Sequence, residues 1–183
     1  MLGVIQLLVV QLAAFEAVLL LASGLHKMIR HDRTRAVMRE FAGIPSGFAS
    51  FAVTAAASLE LLASLLLWTP SYRVVGGALA ALIWGGYLAL ILRAIAQGRR
   101  DVDCGCTFGA GRRPLGAFQV VRNVVLTGAA LLVAAGSASG ITASGVTGPV
   151  VASQILAAFV LVVLYGVLDQ VMALTPPRSG ELL

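Results

Sequence analysis

The sequence predicts an all-α, polytopic integral membrane protein, a four-helix transmembrane bundle with a fifth transmembrane helix beside it. Three observations lead there. Hydrophobic residues make up 59% of the 183-residue chain and charged residues 11%, where a soluble domain carries about 25% charged residues. Five apolar runs, Leu2–Leu25, Phe48–Trp68, Val74–Ile95, Ala117–Gly136 and Val150–Leu174, each approach or exceed the roughly 20 residues that cross the hydrocarbon core as a helix. Nearly all charges fall between these runs, as in a polytopic membrane protein.

The first run is interrupted by Gln6, Gln11 and Glu16 and has no basic segment before it. It is also longer than the apolar part of a signal peptide, so it reads as a retained helix. A polar, basic loop is expected over Lys27–Gly47. The second and third runs are joined by a turn, Thr69–Arg73. Gly76-Gly77 and Gly85-Gly86 in the third run suit close helix packing in lipid. A loop over residues 97–116 leads to the fourth run, and a spacer of small residues, Ser137–Pro149, leads to the fifth. Residues 1–136 therefore form the expected core, and 137–183 add the spacer, the fifth helix and a tail. No internal repeat or heptad pattern is visible. Connections this short favour antiparallel neighbours.

Parity places the loops after the first and third spans on one side of the membrane. With five spans the C-terminus joins them, and this side then holds eleven of the thirteen basic residues. The positive-inside rule assigns it to the cytoplasm, with the chain a multi-pass protein of the cell membrane and the lipid bilayer its first partner. No nucleic-acid partner is expected.

Ionisable residues inside spans are costly and mark functional or pairing sites. Glu16 and Glu60 lie within the first two spans, Arg93 near the end of the third, and Asp169 near the end of the fifth. Arg122 and Asn123 open the fourth, only a turn or two beyond the loop at 97–116. An arginine placed there can organise backbone carbonyls and a thiolate.

That loop reads RRDVDCGCTFGAGRR and holds the only two cysteines, Cys104 and Cys106, separated by Gly105. Arg99, Arg100, Arg112 and Arg113 flank the pair and favour the thiolate, the nucleophile in disulfide exchange; Asp101 and Asp103 oppose them in part. Three roles fit the residues. The pair can close a small, strained and therefore exchangeable disulfide, it can bind a soft metal, or it can be structural. His26 and His31 could complete a Cys2His2 set, but the spacing is not that of a zinc site, and no metal ligand is assigned.

Asp103-Cys104-Gly105-Cys106, then Phe108-Gly109, then Arg122-Asn123 together resemble the MauE family of membrane proteins, which is related to the DoxX-like redox-associated proteins. Ser23-Gly24, Lys27 and Glu60 also look like that family's polar landmarks. The resemblance covers about residues 1–136. One departure is Thr107, which intervenes where the family pattern runs from the second cysteine directly into Phe-Gly. The resemblance implies a redox accessory role, since the family is associated with maturation of the disulfide-rich small subunit of methylamine dehydrogenase alongside a thioredoxin-like partner.

The leading reading is a membrane thiol–disulfide redox protein, either an oxidoreductase or the membrane partner of one. Cys104 and Cys106 would carry the chemistry, with Asp103, Gly105, Arg122, Asn123, Lys27 and Glu60 in support. Expected partners are a thioredoxin-like protein and a client with disulfides. No cofactor is assigned from the residues, and a membrane quinone is the candidate electron acceptor. A non-enzymatic assembly subunit with a Cys-x-Cys metal site is the alternative. A small-molecule transporter fits less well, because neither repeats nor broken helices are seen.

Overall fold

The computed structural model describes residues 2–99, 116–140 and 148–174. Six α-helices occupy them: α1 (Leu2–Ile29), α2 (His31–Ala42), α3 (Ser46–Trp68), α4 (Arg73–Ala96), α5 (Ala117–Ala138) and α6 (Gly148–Leu174). All except α2 are long and apolar enough to cross a membrane, and no strand occurs among the described residues.

Four of the spans close a ring. Helix α1 packs on α3 and α5, and α4 packs on the same two from the opposite corner. The centre is lined largely by small side chains, among them Ala13, Ala17, Ala63, Ala80 and Ala130, around Leu20, Leu67, Trp84 and Leu126. Lipid tails are as apolar as leucine, so helices in a bilayer associate by close packing rather than by escape from water. Gly77 shows how close the approach is. A Cβ there would stand 2.8 Å from the Ala134 backbone nitrogen and 2.9 Å from the Ala130 carbonyl oxygen.

Helix α6 lies outside the ring, against α1. Its contact face includes buried Ala158, and Tyr165 meets Phe15 edge-on at 6.4 Å. Leu156, Phe159, Val160 and Leu164 are exposed, as expected of a helix with most of its surface in lipid.

The segment expected to be a loop, Lys27–Gly47, is mostly helical. Helix α1 runs on to Ile29, and α2 follows after a single residue. Thr34 and Phe41 are buried on α2 and Val37 and Met38 partly so, an i, i+3, i+4, i+7 stripe that faces the bundle. Phe41 packs with Ile91 and Ala94 of α4. Gly43 ends α2 at φ 68°, and the Ile44 N–H returns to the Met38 carbonyl, a helix stop that favours glycine. Arginines on the outer face mask this stripe when hydropathy is averaged along the chain. At the other end of α3 the expected turn takes the form of a short 3-10 helix, Pro70–Tyr72, and Arg73 already belongs to α4.

The Arg99 guanidinium donates to the Glu40 carbonyl, so the end of α4 meets the end of α2. This is the end of the bundle from which residues 100–115 depart. At the far end, Gly136 of α5 lies against Val9 of α1.

Candidate functional site

Two buried ionic clusters hold the half of the bundle nearer this end. In the first, Ser23 and Lys27 stand four residues apart on one face of α1, an i, i+4 neighbour pair. Lys27 Nζ lies 2.7 Å from Glu60 Oε1 and 3.0 Å from Oε2, and it also donates to Ser23 Oγ at 2.7 Å. Ser23 Oγ donates in turn to Glu60 Oε1 at 3.1 Å. Tyr87 of α4 donates its hydroxyl to the same oxygen at 2.6 Å, and its ring centroid lies 5.3 Å from the ammonium. Glu60 is fully buried and Lys27 nearly so. The carboxylate thereby has a cation and two hydroxyl donors, which is what an ion pair in a low-dielectric setting requires.

Chain order alone would set Lys27 and Glu60 at different depths, because Glu60 lies about 20 Å along α3 from its start. Helix α2 removes the discrepancy. Helix α3 packs beside α2, with Ser50 Oγ of its second turn 3.3 Å from His31 Nε2, and Gly24 of α1 is level with Ala57 and Leu61 of α3. A lysine side chain leans toward the N-terminus of its own helix, so Lys27 reaches back to Glu60.

The second cluster joins α5 to α6. Arg122 Nη1 lies 3.2 Å from Asp169 Oδ1, with both side chains almost fully buried. Beside it, Asn123 is completely buried and donates Nδ2 to the Gln119 carbonyl at 2.8 Å. Gln119 Oε1 accepts from the Gly116 N–H at 2.9 Å, capping the helix where residues 100–115 lead into it. The sequence places Arg122 where it could hold the loop; the structure shows it engaged with Asp169.

Deeper in the ring, Trp84 Nε1 donates to Glu16 Oε2 at 2.7 Å, while Glu16 Oε1 has no hydrogen-bond partner among the described residues. The Trp84 and Tyr87 rings meet edge-on at 5.9 Å, so the Glu16 and Glu60 sites share an aromatic wall on α4.

Of the residues expected to form the site, Lys27 and Glu60 are brought together, and Arg122 and Asn123 sit side by side in a separate cluster. Asp103, Cys104, Gly105 and Cys106 lie outside the described residues. Tyr87 and Trp84 were not anticipated. The available signal was two amphipathic aromatics at i, i+3 within a span, rings whose polar atoms need partners when buried. His31, considered as a metal ligand, has Nε2 3.3 Å from Ser50 Oγ.

A family model described as "Methylamine utilisation protein MauE" matches residues 5–136. The methylamine utilization protein MauE of Methylophilus methylotrophus is 30% identical over 126 residues, covering 66% of this chain and 64% of that protein. The MauE of Paracoccus denitrificans is 26% identical over 130 residues, covering 71% of this chain and 70% of its own length. The chain thus spans a little under two thirds of the length of the Methylophilus relative. No solved structure matches.

Proposed function

The chain belongs to the MauE family, and from that premise we propose that it is a membrane redox accessory whose Cys104 and Cys106 support maturation of a client protein. The relatives' name extends the proposal to methylamine utilisation as the process served. One observation carries the redox reading: the only two thiols of the chain stand one glycine apart in the segment that joins α4 to α5. Flanking arginines favour the thiolate.

In the oxidising direction a client thiolate attacks the Cys104–Cys106 disulfide, forming a mixed disulfide and releasing one loop thiolate. A second client thiolate then displaces the other loop sulfur. The client gains a disulfide, and two electrons and two protons pass to the loop. The reduced pair returns them to the disulfide of a thioredoxin-like protein, or to a membrane quinone that becomes the quinol. Asp103 and Gly105 shape the pair's immediate surroundings. Lys27–Glu60 and Arg122–Asp169, with Asn123, brace the helices on which the loop is mounted, and the loop faces the cytoplasm by its charge.

The test is Cys104→Ser and Cys106→Ser, each assayed for client disulfide formation in membranes and for stability in detergent. Loss of client maturation with unchanged stability is expected. Full function in both variants would end the redox reading. Loss accompanied by release of a metal carried by the wild type would put a Cys-x-Cys assembly site in its place.

A further inference from the structure

The exposed face of α2 is strongly charged and has no part in the redox proposal. Arg30 precedes the helix, Arg35 and Arg39 project from it, and all three are exposed. Arg93 and Arg99, at the end of α4, are exposed beside it. Asp32 and Glu40 are the carboxylates on the same helix, so the surface stays cationic.

The position of α2 identifies what this charge meets. It is held between two spans by connections of one and three residues, and its inner stripe is anchored by Phe41 against α4. The adjoining turns of the spans present bare apolar side chains: Ile29 is 77% exposed, Phe48 68% and Phe51 73%. A short helix with a basic outer face, set between lipid-facing aliphatic and aromatic residues, lies in the headgroup layer. Clusters of arginine beside a transmembrane helix recognise anionic lipid. An acidic protein segment would satisfy the same charges. The lipid is favoured because α2 is tethered where headgroups already surround it.

We infer that α2 is an interfacial helix that binds anionic phospholipid headgroups of its own leaflet through Arg30, Arg35 and Arg39. Because the end of α2 accepts a hydrogen bond from Arg99, lipid bound there also steadies the point where the segment carrying the cysteines leaves α4. The inference does not depend on what those cysteines do.

The experiment uses the full-length protein in detergent, titrated with phosphatidylglycerol, phosphatidylcholine or glycerol phosphate. It reads melting temperature and, by native mass spectrometry, the number of lipids retained. Phosphatidylglycerol should raise the melting temperature and stay bound, with the effect fading at high salt as exposed charges are screened. Phosphatidylcholine and glycerol phosphate should do neither. The Arg30→Gln/Arg35→Gln/Arg39→Gln variant should bind phosphatidylglycerol roughly tenfold more weakly or worse, and the corresponding triple-lysine variant should keep most of the affinity. Equal response to the two lipids would overturn the inference, as would unchanged binding in the glutamine variant. A response to glycerol phosphate equal to that of the lipid would replace it with a free-phosphate site. Indifference to phosphatidylglycerol together with retention of a polyglutamate peptide would replace it with a protein-docking surface. If the glutamine variant does not fold, the salt dependence and lipid count of the wild type decide.

Discussion

Lys27 and Glu60 form a buried ion pair 2.7 Å apart, although 33 residues and an entire amphipathic helix separate them along the chain. The pair pins α1 to α3, and the Tyr87 hydroxyl on the same carboxylate oxygen adds α4. Three of the four ring helices therefore meet at one carboxylate.

Breaking this pair from one side should cost far more than removing it altogether. Lys27→Met leaves a buried carboxylate without its cation and is expected to destabilise the protein by about 3–5 kcal/mol. Adding Glu60→Met should restore part of that loss. A double-mutant cycle of unfolding in detergent measures the coupling, and additive losses would show that the pair is not acting as a unit.

Arg122 and Asp169 link the ring to α6, which otherwise rests on α1. Asp169→Asn should loosen α6 and leave the ring assembled. The expected readout is faster hydrogen exchange within residues 150–171, with little change in α1, α3 and α4. Uniform acceleration across all helices would show that α6 and the ring unfold as one unit.

Trp84→Phe removes the donor to Glu16 Oε2, and Glu16 Oε1 has no partner among the described residues. A buried carboxyl stripped of its donor should cost about 1–3 kcal/mol. Glu16→Leu in the same background should recover stability. The comparison is again made by unfolding in detergent.

Close packing at Gly77 predicts a sharp contrast within α4. Gly77→Leu forces a side chain against the Ala130 and Ala134 backbone and should destabilise by about 1–3 kcal/mol. Beyond the helix's own backbone, no atom of the described residues comes within 4 Å of a Cβ placed at Gly85, so Gly85→Ala should be neutral or slightly stabilising.

Much of this architecture was legible from where the charges fall. Glu60 and Arg122 stand in apolar runs, and a charge inside a span must face the protein interior; both do. The partner of Glu60 was not legible, because the depth of Lys27 relative to α3 depends on α2, whose one-sided apolar stripe is hidden among arginines. Trp84 and Tyr87 escaped for a different reason. Aromatic residues in an apolar run read as packing, and only the three-dimensional arrangement shows their polar atoms meeting Glu16 and Glu60. The cysteine pair is legible in the sequence alone.

The central claim, that Cys104 and Cys106 form a reversible redox couple, is tested most directly by a redox titration of the wild-type protein in membranes. Samples are equilibrated with glutathione buffers of increasing oxidised fraction, quenched with acid and labelled with a maleimide mass tag. The account predicts a two-electron transition from two tags per chain to none, fully reversed on re-reduction, with Cys104→Ser and Cys106→Ser not forming an intramolecular disulfide. Two tags per chain at every potential would contradict it.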